Sequence, residues 1–224
     1  MYVKGRIFSV ILVFIIQSAY IFYYFQRDGY ISLGGWLGYP LLLPIGYWTG
    51  YQFDKAKFFS EKDSLTHLYN RRFIEHQFQN YSQKAKRNGE RLFVLLLDCD
   101  KFKRINDRWG HAAGDNILIE VAKILQQKEE NVFAAARWGG DEFLVVGSCE
   151  DAQEVDKLKE KLNKKFSLIK IPKMEGPFSI SIGGAVQWSD ESNVQEVVKQ
   201  ADAKMYEQKS LNKKLNDSTL TKLK

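Results

Sequence analysis

Residues 135–147 read AARWGGDEFLVVG. The apolar stretches VFAAAR and FLVVG flank Gly139-Gly140, and two such runs around a glycine pair predict a β-hairpin. Glycine suits the tip of a hairpin, but the turn has no need of Asp141 and Glu142 beside it. Acidic residues at a turn are ordinarily just solvated. They ask for another explanation if a further charge lies opposite them.

A second stretch supplies that charge. RLFVLLLD, residues 91–98, is a continuous apolar run that suits a strand buried on both faces, and it ends on a carboxylate. Cys99, Asp100 and KFKRIND follow. Strand ends that open into loops are where α/β sheets hold ligands. If the hairpin lies beside this strand, Asp98 converges with Asp141 or Glu142. Carboxylates so close repel and shift one another's pKa unless a cation lies among them. Magnesium fits, because it takes hard oxygen ligands and shares one or two carboxylates with substrate phosphates. Lys101, Lys103 and nearby backbone N–H groups suit those phosphates. The residues alone point to a magnesium-dependent nucleotide site.

Elsewhere helices and strands alternate. Ile74, Phe78, Tyr81 and Ala85 stand at helical spacing, as do Ile117, Leu118, Val121, Ile124 and Leu125 after Asp115. Val155, Leu158, Leu162 and Phe166 mark another helix, and Val194, Val197, Val198, Ala201 and Met205 a last one. Phe178, Ile180 and Ile182 alternate as in a half-buried strand. The pattern predicts one α/β or α+β domain.

The N-terminus differs. Residues 7–25 carry no charge and as a helix would span roughly 28 Å, close to the hydrocarbon thickness of a bilayer. A second uncharged run fills 30–53, with aromatic residues near the segment ends. Lys4 and Arg6 before the first run, and Lys55 and Lys57 after the second, predict that both ends face the cytoplasm. The expectation is a multi-pass cell-membrane region over 1–53, with transmembrane helices at about 7–25 and 30–51. Pro40 and Pro44 leave a kinked or re-entrant second segment open. A linker over 54–62, a globular domain over 63–213 and a polar tail over 214–224 complete the division. A net charge of +6 spread over 224 residues gives no nucleic-acid grip, and two cysteines outside any CxxC pair give neither a disulfide framework nor a zinc site.

Several ordered motifs together resemble the GGDEF family of diguanylate cyclases. They are DSLTHLYNRR (63–72, with His67 where glycine is commoner), DCDKFKRINDRWGHAAGD (98–115), GGDEF (139–143), SIGG (181–184) and ADAKMYEQK (201–209). The resemblance implies a nucleotidyl-cyclase and polymerase-palm-like fold with a central five-stranded sheet. It implies condensation of two GTP into cyclic di-GMP with release of two pyrophosphates, on a homodimer holding one GTP per domain. Its metal is magnesium, with manganese as the substitute. By the same resemblance Asp98, Asp141 or Glu142 and the Cys99 carbonyl bind the metal, and Asp141 or Glu142 accepts the ribose proton. Lys103 steadies the α-phosphate, and Phe102 offers backbone N–H to phosphates. Asn106 and Asp115 read guanine with His111 beside them, and Lys209 and Lys213 hold the terminal phosphates. A degenerate domain serving as nucleotide receptor or scaffold is the alternative.

Plainer readings exist residue by residue. Asn106 and Asp115 also suit helix caps, and Lys209 and Lys213 lie in a lysine-rich segment that solvation alone explains. Two departures stand out. The positions of the family's RxxD product-inhibition motif hold Glu130 and Phe133, so no such site is expected. Asn212-Lys213 replaces the usual Gly-Arg, and lysine lacks the bidentate fork of arginine.

Overall fold

The structure is a computed structural model that describes residues 3–127, 129–170, 178–187 and 193–221, without the side chains of 208 and 210–221. The chain divides into two compact units, Met1–Glu61 and Lys62–Lys224.

The first unit is a pair of helices, α1 (Lys4–Asp28) and α2 (Leu33–Glu61). Small residues let them pack closely. A Cβ at Gly46 would lie 2.9 Å from a Val13 methyl, and one at Gly50 would overlap the Ser9 hydroxyl. Asp54 of α2 accepts from the Gly5 and Arg6 N–H groups at 2.8 and 3.2 Å and from Arg6 Nε at 3.2 Å. It thus caps the start of α1, where Val3 provides no side-chain cap.

The structure does not bear out the expected transmembrane hairpin. Among the described residues only α1 is long and apolar enough to cross a membrane, with a mean hydropathy of 2.0. Most of the segment expected to cross at 30–51 lies in α2, where Gly, Tyr and Trp are interspersed among leucines and Pro40 and Pro44 sit inside the helix. Those residues dilute its apolar character below that of a membrane span. Two crossings, and with them the multi-pass placement, are therefore not upheld.

The second unit holds a five-stranded mixed sheet in the order β1-β3-β4-β2-β5. Its strands are β1 (Tyr69–Asn70), β2 (Arg91–Cys99), β3 (Val132–Arg137), β4 (Glu142–Cys149) and β5 (Ile180–Gln187). β1 runs parallel to β3, and the other pairs are antiparallel. The helices are α3 (Arg71–Arg87), α4 (Phe102–Trp109), α5 (His111–Leu125), α6 (Ala152–Phe166) and α7 (Val194–Thr221).

Strand periodicity divides the core in two. Phe93, Leu95 and Leu97 of β2 join Phe143 and Val145 of β4 beneath Ile117, Leu118 and Val121 of α5 and Leu162 and Phe166 of α6. Leu92, Val94 and Leu96 join Leu144 and Val146 on the other face, under Ile74 and Phe78 of α3 and Val197, Ala201 and Met205 of α7. β2 is therefore covered on both sides, as its unbroken apolar run predicts. β5 departs from the half-buried expectation: every residue but Val186 is buried, because α7 lies against its second face. A Cβ at Gly183 would overlap the Ala201 carbonyl and reach within 2.6 Å of the Met205 nitrogen. Glycine lets sheet and helix meet there.

Candidate active site

Antiparallel register sets Asp98, near the end of β2, across from Glu142 at the start of β4. One residue on, the Cys99 N–H donates to the Asp141 carbonyl at 3.3 Å. The Gly139-Gly140 turn thus brings Asp141 and Glu142 to the same corner of the sheet as Asp98. The Glu142 carbonyl closes the turn, accepting from the Trp138 and Gly139 N–H groups at 2.8 and 3.3 Å. A Cβ at Gly139 would stand 2.8 Å from Glu142 Oε2, so glycine leaves room for that carboxylate.

Arg137 braces the turn. Its Nη2 and Nε donate to the Gly140 carbonyl at 2.8 and 3.1 Å, and its Nη1 reaches both Asp63 oxygens at 3.3 Å. Asp63 also accepts from the Thr66 N–H and hydroxyl at 2.8 and 2.7 Å. Burial opposes the Asp63 charge, but Thr66 and Arg137 outweigh it and hold the carboxyl below its ordinary value.

The three carboxylates at the corner are short of positive charge. Burial first, and Asp98 second, push Asp141 above the usual carboxylate value. Glu142 is raised by burial and then by Asp98, Asp141 and Asp202. Lys209 opposes both shifts, and its Nζ lies 2.6 Å from Asp98 Oδ1. It extends from α7 one helical turn beyond Met205, which packs on the sheet. Among the described residues no three His, Cys, Asp or Glu side chains form a ready-made metal cage. A cation here would take one or two carboxylates, a main-chain carbonyl and oxygens from its ligand, which is how magnesium usually binds beside phosphates. The Cys99 thiol is not a candidate ligand: burial, then Asp141, Asp98 and Asp100, push it far up, so it stays protonated.

Asp100 plays a different part, which sequence reasoning missed. It accepts from the hydroxyls of Ser179 and Ser181 at 2.6 and 2.7 Å, and its N–H donates to the Ser179 carbonyl at 3.1 Å. It pins the β2–α4 turn to the β5 side of the sheet. Ser179 and Ser181 alternate with Phe178, Ile180 and Ile182, and that polar phase was the available signal. Lys101 then takes a left-handed conformation, φ 60°, and no side chain caps α4. The first N–H groups of α4 are left for an anion. Phe102 and Lys103 stand in this first turn, Phe102 half-buried and Lys103 exposed.

Asn106 lies inside α4, and Asp115 is the fifth residue of α5, whose N-cap is Gly110. Neither caps a helix, so the plainer reading of both fails. Asn106 Oδ1 is buried with no hydrogen-bond partner. It lies against Gly114, where a Cβ would overlap it. A buried amide oxygen left unpaired calls for a donor that a ligand can bring. Asp115 follows Gly114 directly and is exposed, as is His111 at the start of α5. Lys213 belongs to α7, but its side chain lies outside the described residues. At the RxxD positions Glu130 is exposed, whereas Phe133 stacks on Tyr81 at 5.5 Å under the Lys84 ammonium at 4.3 Å.

Residues 60–214 match the family model described as "Diguanylate cyclase, GGDEF domain". The chain is 37% identical over 148 residues to the bifunctional diguanylate cyclase/cyclic di-GMP phosphodiesterase MucR of Pseudomonas aeruginosa, covering 66% of this chain and 22% of that protein. It is 34% identical over 147 residues to diguanylate cyclase DosC of Escherichia coli, covering 64% of this chain and 32% of that one. The chain therefore spans about a fifth to a third of the length of these relatives. Among solved structures, the coiled coil and GGDEF domain of DgcB from Caulobacter crescentus, in complex with c-di-GMP, aligns with a TM-score of 0.63 at 27% identity, covering 71% of this chain and 86% of that one. A sensory box/GGDEF family protein from the same organism aligns with a TM-score of 0.59 at 32% identity, over 67% and 98%. With its name motif at the turn beside Asp98, the chain belongs to the GGDEF diguanylate cyclase domain family.

Proposed function

We propose that the chain condenses two GTP into cyclic di-GMP and two pyrophosphates, working as a homodimer attached to a membrane through α1. The observation that carries this reading is the placing of Asp98 opposite Glu142, with Asp141 beside them and the uncapped start of α4 nearby.

In each domain the Asn106 amide and the Asp115 carboxylate bind the guanine edge, with His111 alongside. The N–H groups at Phe102 and the Lys103 ammonium hold phosphate oxygens, and Lys209 and Lys213 hold the terminal ones. Asp98, Asp141 or Glu142 and the Cys99 carbonyl would hold magnesium, or manganese in its place. The metal, when bound, lowers the pKa of the ribose hydroxyl and neutralises charge on the phosphorus. Two such domains face each other, so that the 3′-oxygen of one GTP attacks the α-phosphorus of the other and pyrophosphate departs. The same exchange in the opposite sense closes the ring. Asp141 takes the hydroxyl proton. Positioning supplies much of the remaining rate. With Phe133 packed under Lys84, product feedback through the RxxD position is not part of this reading.

The test is product analysis of membranes carrying the full chain, given GTP and Mg²⁺, beside Asp141→Asn. Cyclic di-GMP from the wild type, reduced about 100- to 1000-fold in the variant, is expected. GTP binding without product, even after a fused coiled coil forces dimers, would replace this reading with that of a nucleotide receptor.

A further inference from the structure

We propose that Lys209 stands in for the metal, its ammonium occupying the Asp98 carboxylate until nucleotide phosphates draw it away. The inference rests on the reading of Asp98 as a metal ligand and goes beyond it, by making metal entry conditional on nucleotide.

Three observations lead there. Asp98 lies across from Glu142, and the Cys99 N–H bond to the Asp141 carbonyl brings Asp141 to the same corner, so three carboxylates crowd together there. Arg137, the cation that braces the turn, is committed to Asp63 and the Gly140 carbonyl. Lys209 Nζ, by contrast, donates among the described residues to Asp98 Oδ1 alone, at 2.6 Å, with about a third of its side chain exposed. A metal at Asp98 and an ammonium at this distance compete for the same oxygen. Lysine is a point charge on a flexible stem with no fixed fork to hold it. A triphosphate offers it denser negative charge than one carboxylate. Binding of nucleotide and metal is then coupled, and by linkage the coupling is reciprocal.

The probe is Mn²⁺ binding to the full chain in detergent, followed by the electron paramagnetic resonance of free Mn²⁺, with and without a non-hydrolysable GTP analogue. Wild type should bind Mn²⁺ weakly alone and more tightly with the analogue. Lys209→Met should bind Mn²⁺ roughly 3- to 10-fold tighter than wild type without nucleotide, the scale of a half-exposed ion pair, and gain less from the analogue. Lys209→Arg, which keeps the charge, should stay near wild type. Lys204→Met, which removes a lysine elsewhere on α7, should leave Mn²⁺ affinity within about twofold, since an exposed charge away from the site is screened. Equal or weaker nucleotide-free binding by Lys209→Met overturns the inference, as does an equal gain from Lys204→Met. Asp98→Asn separates the two levels. If it abolishes Mn²⁺ binding with the analogue while Lys209→Met gains nothing, the stand-in fails and the metal site survives. If Mn²⁺ binding is indifferent to Asp98, both fail.

Discussion

Gly114 is small for a reason that the sequence does not announce. A Cβ there would overlap Asn106 Oδ1 and come within 3.0 Å of the Phe102 ring. Asn106 can swing aside, so Gly114→Ala should fold but misplace the amide. We expect KM for GTP to rise about tenfold, the cost of one misplaced hydrogen bond, with kcat less affected. Asp141 and Glu142 carry the opposite kind of tension. Both carboxyls are raised, so each favours the native state while protonated and opposes it once ionised. The stability they lend is present in acid and is lost as pH rises above the ordinary carboxylate range. In chelator at neutral pH, Asp141→Asn and Glu142→Gln should therefore raise Tm, and the gain should vanish towards about pH 4, near the unperturbed carboxylate values. Thermal scans across that range test the sign. Activity should fall in the same variants.

At the scale of elements, β5 and α7 form the tightest joint. Gly183→Ala would drive a methyl into the backbone of α7 at Ala201 and Met205, where no rotamer offers relief. We expect a loss of about 3 kcal/mol and a Tm lower by about 6–12 °C in a domain of this size, measured by calorimetry. Activity should suffer as well, because α7 carries Lys209. Much of this layout was legible. The run 91–98 announces a doubly covered strand, and the glycine pair announces the hairpin. β5 was misread because its small residues hide how closely α7 approaches. Whether Asn106 and Asp115 cap helices stayed open until the starts of α4 and α5 were known. Asp100 received no role from the sequence, whereas two serine hydroxyls bind it to the β5 side. The polar phase of Ser179 and Ser181 hinted at a polar partner, but nothing local named one 79 and 81 positions away.

The molecule as a whole is two units of different chemistry. Sequence composition separated them, but it overstated the first. An uncharged run is necessary for a membrane crossing, and the second run fails on apolar content because glycines, prolines and aromatics displace aliphatic residues. In the second unit, Arg137 joins Asp63, one residue from the start of the unit, to Gly140 in the turn, a separation of 74 positions between Asp63 and Arg137. In polymer terms this guanidinium closes a large ring, and the ends of a closed ring cannot fray independently. Opening at Asp63 should loosen Gly139–Asp141 as well, so their amides should exchange with deuterium in step. Asp63→Asn should speed exchange at both places while leaving β2 protected. Independent exchange at the two would show that the ring is not closed in solution. On that expectation the GGDEF turn inherits its stiffness from where its domain begins, and a disturbance at that first turn of chain should be felt 74 positions later without crossing the core.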